Sequence, residues 1–137
     1  MIVVDTSIVI KWINRDEEYS TEAVSLRDNH ILGKKSIIVP QLLYYEVANT
    51  LATKSKSTAR DIKEGLQLIY EAHLLKFSES EADIEEASIM AKQYKTTVYD
   101  MLYAVIAKKE KTVLITADET FIKKTHLSFV RSIRIHA

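Results

Sequence analysis

Apolar and polar positions along the chain separate short apolar runs from longer segments in which apolar residues recur at helical spacing. The runs at 2–4, 36–39 and 112–115 are rich in β-branched residues and do not alternate between apolar and polar positions. Such continuous runs are typical of strands that are buried on both faces of a sheet. Weaker runs at 74–77 and 130–135 predict two more strands, and the arginines within the second run indicate an edge strand.

Between these runs, apolar residues three or four positions apart predict helices. Ser20 or Thr21 is predicted to cap the second helix, Gly33 to end it, and Ser80 with Asp83 resembles a capping box. Strands that alternate with helices in this way predict an α/β fold, with a parallel sheet and helices on both of its faces. The predicted helices cover residues 7–13, 20–32, 41–53, 58–72, 80–94, 100–109 and 118–124.

Composition narrows the class of protein. The length of 137 residues and the apolar content of 47% fit one domain over residues 1–137 with a single core. The 19 basic and 19 acidic side chains cancel, so net charge does not support a nucleic-acid partner, although a local basic face is compatible with it. Two glycines exclude glycine-rich phosphate loops, and the lack of cysteine excludes disulfides, thiol catalysis and zinc–thiolate sites.

Two features of the sequence bear on its location. No apolar run approaches the roughly 20 residues that a membrane span needs, and the N-terminus lacks the pattern of a signal peptide. The absence of cysteine fits a reducing compartment. We therefore expect a cytoplasmic protein without membrane attachment.

Four carboxylates are predicted to lie at one edge of the sheet. Asp5 directly follows the first strand, Asp118 follows the strand at 112–115, Asp100 begins the helix before that strand, and Glu46 lies in the first turns of the helix after the second strand. Parallel strands end at the same edge, where open α/β sheets bind their ligands. Each acid also has an ordinary interpretation, because Asp100 or Asp118 could cap a helix and Glu46 could be a solvated surface residue.

Together, the four carboxylates indicate a cation site. Carboxylates brought close together repel one another, which raises some of their pKa values and destabilises the empty site. Mg²⁺ takes oxygen ligands and keeps several waters, so two or three carboxylates are enough to hold it. Such a site can lower the pKa of a bound water and neutralise charge on a phosphodiester.

Four segments resemble the PIN domain in order and spacing, and more closely the VapC-type toxins of type II toxin–antitoxin pairs. The segments are 3–7 with Lys11 and Trp12, 46–49 with Leu51, 99–104, and 116–121, so the resemblance covers essentially the whole chain. It implies a three-layer α/β/α sandwich with a central parallel sheet. It also implies a Mg²⁺- or Mn²⁺-dependent endoribonuclease, the toxin component of such a pair.

The resemblance assigns roles to five residues of this sequence. Asp5 and Asp100 would be the main metal ligands, and Glu46 and Asp118 would complete the acidic cluster directly or through water. Thr116 would hold a ligand or a water. A metal-activated water would attack the RNA phosphodiester, and Glu46 or Asp118 would accept or relay its proton. The hydroxyl residues at positions 6 and 7 are weaker candidates, because they could simply cap the following helix.

The resemblance further implies an RNA substrate, a small cognate antitoxin that covers the acidic cleft, and a homodimer. Trp12, at helical spacing from Ile8, is assigned to the core or an interface rather than to base stacking, and Tyr44 and Tyr45 to the core or to dimer contacts. The candidate cations for RNA are Lys11, Lys54, Lys56, Arg60, Lys123 and Lys124, each with solvated surface as its ordinary interpretation. His30, His73, His126 and His136 share no motif, so histidine-based acid–base catalysis is not expected.

Three alternatives stay open at this point. The first is a PIN nuclease that acts in RNA processing or on DNA. The second is a phosphoacceptor receiver domain, which disagrees with the single acid after the first strand. The third is a catalytically silent domain that only binds RNA or a partner protein. Metal-dependent turnover separates the third from a nuclease.

Overall fold

A computed structural model of the chain describes residues 1–54 and 56–135, so the predicted role of His136 lies outside the described residues. All five predicted strands are present, including the two weaker ones. The last strand ends at Ser132, before the predicted end, because the chain turns over 133–135. The elements are β1 (Ile2–Val4), α1 (Thr6–Ile13), α2 (Ser20–Ile31), β2 (Ile37–Pro40), α3 (Leu42–Thr53), α4 (Ala59–Glu71), β3 (Leu75–Phe77), α5 (Glu81–Tyr94), α6 (Val98–Lys109), β4 (Leu114–Thr116), α7 (Glu119–Thr125) and β5 (Val130–Ser132).

The strands form one sheet in the order β3-β2-β1-β4-β5, and every neighbouring pair is parallel. Val3 of β1 lies opposite Ile38 of β2 on one side and Leu114 of β4 on the other. The chain first builds outward from β1 through β2 to β3, and then crosses to β4 and β5 on the other side. Open α/β sheets bind ligands where the strand order reverses in this way. Here the reversal lies between β1 and β4.

Helices cover both faces of the sheet, which confirms the predicted three-layer α/β/α sandwich. Helices α1 to α4 contact one another, and α1 and α3 also contact strands of the sheet. Helices α5 and α6 pack as a pair, and α6 contacts β1, β2 and β4. The residues of β1 are at most 2% exposed, as a strand covered on both faces requires. Trp12 is 1% exposed and its Nε1 donates to the Ala23 carbonyl at 2.8 Å, which confirms its assignment to the core.

The N-caps of two helices differ from the prediction, and for α6 the first residue differs as well. The N-cap of α2 is Tyr19, which has a left-handed backbone, whereas the Ser20 hydroxyl donates to the carbonyl of Arg15. Helix α6 begins at Val98, not at Asp100, because the hydroxyl of the preceding residue, Thr97, accepts the backbone N–H of Asp100. Asp100 therefore lies in the first turn of α6 and is not its cap.

Other predicted helix ends are confirmed. Ser80 and Asp83 form a reciprocal capping box at the start of α5, and Gly33 follows α2 with a φ of 73°. Strand β4 extends through Thr116, one residue beyond the predicted run, so Thr116 belongs to the sheet. Within residues 1–54 and 56–135, no helix is both long and apolar enough to cross a membrane.

Candidate active site

Asp5 lies between the end of β1 and the start of α1, beside the reversal of strand order. The Ser7 hydroxyl donates to Asp5 Oδ1 at 2.5 Å, and the Thr116 hydroxyl donates to Asp5 Oδ2. Ser7 Oγ in turn accepts the backbone N–H of Ala117 at 2.9 Å, so β4 and α1 are joined through this carboxylate. Asp5 as a residue is only partly buried, but many protein atoms surround its carboxyl group.

This burial raises the pKa of Asp5 from 3.8 to about 6. The hydrogen bonds from Ser7 and Thr116 act in the opposite direction, and the nearby charge of Asp100 raises the pKa slightly further. No cation balances the charge of Asp5 among the described residues. Asp5 is therefore a carboxylate held in place by neutral hydroxyl groups.

Glu46 lies in the second turn of α3, and two hydroxyl groups fix its position. The Thr6 hydroxyl donates to Glu46 Oε1 at 2.8 Å, and the Tyr103 hydroxyl donates to the same oxygen at 2.5 Å. Tyr103 is 1% exposed, and burial together with the charge of Glu46 raises its pKa, so the phenol stays a neutral donor. Neither bond engages Oε2 of Glu46.

Asp100 and Asp118 come from the N-terminal ends of α6 and α7. The pKa of Asp100 is raised by burial and then by the charges of Asp118 and Glu46. Asp118 is the N-cap of α7, since its Oδ1 accepts the backbone N–H of Phe121 at 3.1 Å. The ordinary interpretation as a helix cap thus applies to one oxygen of Asp118 and does not apply to Asp100.

The geometry of the four acids fits a hydrated cation better than a closed metal cage. Among the described residues, no three histidine, cysteine or acidic side chains converge closely enough to ligate one ion together. All the donors are carboxylate and hydroxyl oxygens, which Mg²⁺ prefers, and Mg²⁺ is commonly held by one or two carboxylates with several waters. Burial is the main cause of the raised pKa of Asp100, and the charges of Asp118 and Glu46 add a repulsion that such a cation would relieve. The assignment of four metal ligands stays a prediction.

The hydroxyl residues of the site were underestimated or missed from the sequence. Thr6 and Ser7 are not side-chain caps of α1; they donate to Glu46 and Asp5 instead. Tyr103 was missed, although it follows Asp100 by three positions in α6 and residues three apart share a helix face. That spacing is the feature of the sequence that could have indicated it.

The basic side chains proposed to bind RNA differ in whether they are already paired and in how they lie relative to the four acids. Lys11 is buried, with its ammonium 3.3 Å from Glu17 Oε1, so its charge is already paired. Arg60 pairs with Glu64 at 2.8 Å. Lys54 and Lys56 line a cavity of about 640 Å³ at the ends of α1 and α3, which contains none of the four acids.

Of the two tyrosines assigned to the core or to dimer contacts, Tyr44 is packed and Tyr45 is exposed to solvent. Tyr44 is 6% exposed and stacks on Tyr70 with the ring centroids 5.5 Å apart. Tyr45, beside Glu46, is 67% exposed. A smaller cavity of about 230 Å³ is lined by Asp100, Asp118 and Lys124, which makes it the cavity next to the candidate site.

The family model of the PIN domain matches residues 2–127, and the chain belongs to the PIN domain family. Its fold is also that of three solved structures. PAE2754 from Pyrobaculum aerophilum is 21% identical with a TM-score of 0.69, and the match covers 98% of this chain and 90% of that one. VapBC2 from Rickettsia felis, bound to a DNA fragment from its promoter, is 17% identical with a TM-score of 0.68, covering 96% and 98%.

The third structure is VapC20 from Mycobacterium tuberculosis, a toxin that cleaves the sarcin–ricin loop. It is 12% identical with a TM-score of 0.65, and the match covers 85% of this chain and 88% of that one. At these identities the likeness concerns the fold. No curated protein sequence matches the chain.

Proposed function

We propose that the chain is a metal-dependent endoribonuclease and the toxin component of a type II toxin–antitoxin pair. PIN domains are generally nucleases, and this chain carries their fold over residues 2–127. The proposal rests on the four acids around the reversal between β1 and β4, where hydroxyl groups donate to Asp5 and Glu46 and, within the described residues, neither acid has a cationic partner. The similar VapC20, a toxin that cleaves the sarcin–ricin loop, supports RNA as the substrate class.

In this proposal, Asp5 and Asp100 would hold Mg²⁺ or Mn²⁺, and Glu46 and Asp118 would complete the site directly or through water. When bound, the cation would lower the pKa of a water and neutralise charge on the phosphodiester. The residues of the chain do the positioning. Thr6 and Tyr103 orient Glu46 through Oε1, and the hydroxyls around Asp5 orient that carboxylate.

The proton of the attacking water needs an acceptor, and two carboxylate oxygens are available for this. Glu46 Oε2 is not engaged by the hydroxyl pair that holds Oε1. Asp118 uses Oδ1 as the cap of α7, so its Oδ2 is the second candidate. Either oxygen can act as a general base for the water.

We also propose a cognate antitoxin and a second copy of the chain as partners. Solved structures of similar fold include the toxin–antitoxin complex VapBC2 on promoter DNA. An antitoxin that covers the acidic cleft would suppress cleavage, so the chain should be assayed without a partner protein. Size-exclusion chromatography with light scattering tests the homodimer.

The test of the proposed function is cleavage of a mixed RNA pool in Mg²⁺, Mn²⁺ or EDTA. We expect cleavage by the wild type only with metal, and a loss on the order of 10²- to 10⁴-fold in Asp5→Asn and in Asp100→Asn. Asp16→Asn is the matched control, because Asp16 is exposed in the loop before α2. Full metal-dependent cleavage by both site variants would contradict the assignment.

The same assay separates the alternatives. Binding of RNA by a folded wild type without turnover in either metal would identify a silent binding domain. Cleavage of DNA as fast as RNA would favour a PIN nuclease outside toxin–antitoxin pairs.

A further inference from the structure

The cavity of about 230 Å³ beside the acids has a second, basic end. Its walls are the turn between α5 and α6 and one side of α7. Asp118 caps α7, and Lys124 lies six residues further along the same helix, which separates them by about 9 Å along the axis. Lys95, in the turn, lines the cavity as well. We call this cavity, from Asp100 and Asp118 to Lys95 and Lys124, the Lys95–Lys124 pocket.

The two lysines are held at the pocket without a carboxylate partner. Lys124 Nζ donates to the backbone carbonyl of Lys95 at 3.1 Å, which places the ammonium of α7 against the turn. Lys95 is the left-handed C-cap of α5, with a φ of 58°. Neither ammonium forms an ion pair within residues 1–54 and 56–135, whereas Lys11, Lys108 and Lys109 all do. Two ammonium groups without an ion pair at the basic end of the cavity favour an anion there, while Asp100 and Asp118 line its other end.

A third group points to a ligand in the same place. Thr96 lines the pocket, and its buried hydroxyl is one of only two buried side-chain oxygens or nitrogens without a hydrogen-bond partner in the described part of the chain. Native structures rarely leave such a group unpaired, and a water or a ligand oxygen in the pocket is the kind of partner that it lacks. An anionic oxygen would be such an acceptor.

The pocket has room for a phosphate group. Its volume equals that of about eight waters at ~30 Å³ each. Ammonium groups bind phosphate as point charges, and a hydroxyl adds a directed hydrogen bond. A phosphate in the pocket would lie next to Asp100 and Asp118, which the proposed function assigns to the cation.

We infer that the Lys95–Lys124 pocket is a phosphate subsite for the RNA strand, which holds a phosphate next to the one that is cleaved. This inference rests on the proposed function, since it assigns the anion to the substrate of the acidic site. The subsite binds the backbone and reads no base, so it contributes affinity for any RNA sequence. It also places the scissile phosphate at the acids, because the neighbouring phosphate is fixed.

The test compares variants that remove charge and keep shape. Lys124→Gln keeps a donor for the Lys95 carbonyl, Lys95→Gln keeps the length of the side chain, and Lys124→Arg restores the charge. Lys63→Gln, at an exposed position in α4, is the matched control. The probe is a fluorescein-labelled single-stranded RNA of mixed sequence, bound in EDTA over a range of salt concentrations and cleaved in Mg²⁺.

Each Gln variant should lower the slope of log affinity against log salt by about 0.7, and the double variant by about 1.4. KM should rise in the Gln variants while kcat stays within twofold, and Lys124→Arg should return both slope and KM to the wild-type values. Lys63→Gln should match the wild type. A merely structural role of Lys124 would leave the slope unchanged.

An unchanged slope and an unchanged KM in the double variant would overturn the subsite, and so would a wild type that binds no RNA at 50 mM salt. Failure of the subsite is distinguishable from failure of the nuclease. A wild type that cleaves while its Gln variants keep their slope retains the nuclease and loses the subsite. A wild type that does not cleave while the slopes fall retains the subsite and loses the nuclease.

Discussion

Two aspartates of this chain, Asp5 and Asp83, respond to the folded environment in opposite directions. Asp83 is only 4% exposed, yet its pKa is lowered, chiefly by the backbone N–H of Ser80 and further by the ammonium of Lys109 at 3.1 Å. Asp5 keeps more solvent contact as a residue, yet its pKa is raised to about 6. Its strongest hydrogen-bond partners are the neutral hydroxyls of Ser7 and Thr116.

The difference shows that the balance between desolvation and partners decides what a carboxylate does for the fold, because desolvation dominates at Asp5 and a backbone N–H with an ammonium dominates at Asp83. Asp83 closes a capping box and an ion pair, so its charge stabilises the native state. The charge of Asp5 is retained at a cost in stability, and such a cost is typical of functional sites. This cost fits the proposed role of Asp5 in the active site, whereas the charge of Asp83 stabilises the fold.

The largest expected effect is on the free energy of unfolding, which Asp5→Asn and Asp83→Asn should change in opposite directions. The rise in the pKa of Asp5 from 3.8 to about 6 corresponds to at most about 3 kcal/mol at pH 7, because partial exposure screens the charge. Asp5→Asn should stabilise the metal-free protein by up to that amount. Asp83→Asn should destabilise it by about 1–2 kcal/mol, through the weakened cap and the lost ion pair. Urea unfolding in EDTA measures both.

Asp16→Asn, at an exposed loop position, is the reference for removing a negative charge alone. The comparison fails if Asp5→Asn and Asp83→Asn destabilise the protein equally. It also fails if Asp16→Asn stabilises it as much as Asp5→Asn does.

Much of the structure behind this contrast could be predicted from the sequence. The runs that became β1, β2 and β4 were predictable because a strand covered on both faces carries no polar alternation. The capping box of Asp83 is a local pattern four residues long, and it was predicted. The four acids were predicted from their positions relative to the strands and from their resemblance to a family.

The resemblance pointed to Thr116, but the hydrogen bonds that the hydroxyl groups make were not predictable, because they join distant parts of the chain. Thr6 and Tyr103 are 97 positions apart and meet at Glu46, and Thr116 reaches Asp5 across 111 positions. The N-cap Tyr19 depends on a left-handed backbone, and the N-cap Thr97 depends on a side-chain hydrogen bond. Periodicity shows neither feature. Periodicity describes the face of one element, whereas these contacts depend on how elements meet.

The next largest effect is the stabilisation by added Mg²⁺. It should depend on the acids around Asp5 and should not depend on Asp83. A cation that binds the native acids stabilises by RT ln(1 + [L]/Kd), which is about 2.7 kcal/mol at a hundred times Kd. The gain should persist in Asp83→Asn and disappear in Asp100→Asn, because Asp100 lies beside two other carboxylates. Thermal unfolding with and without Mg²⁺ measures it, and a melting temperature that Mg²⁺ does not move would contradict the cation site.

The pH dependence should show the two aspartates separately. A carboxyl group whose pKa is raised in the folded state destabilises that state increasingly as pH rises from about 4 to above 6. Acidification from pH 7.5 to 5 in EDTA should therefore recover about 1 kcal/mol of the free energy of unfolding, and Asp5→Asn should remove this gain. The lowered pKa of Asp83 acts oppositely, since its contribution is lost only as pH falls below the unfolded value of 3.8. Stability that rises steadily from pH 5 to 7.5 would contradict the raised pKa of Asp5.

The smallest expected effect on stability comes from removing the ammonium of Lys109, which pairs with Asp83 and has no counterpart at Asp5. Lys109 contacts both carboxylate oxygens of Asp83 at 3.1 Å and lies 5.4 Å from the centroid of the Phe77 ring. Lys109→Met should cost about 1 kcal/mol or less, because the lysine itself is half exposed while its partner is not.

The neighbouring pair is the matched control for Lys109→Met. Lys108 meets Glu86 at 2.6 Å, and both of those side chains are exposed, so Lys108→Met should be close to neutral. The cost of Lys109→Met should also fall as pH drops below 3.8 and Asp83, whose pKa is lowered, begins to lose its charge. Equal costs for the two variants at pH 7, measured by urea unfolding, would mean that the ammonium adds nothing at Asp83. The backbone N–H groups of the capping box alone would then set the lowered pKa.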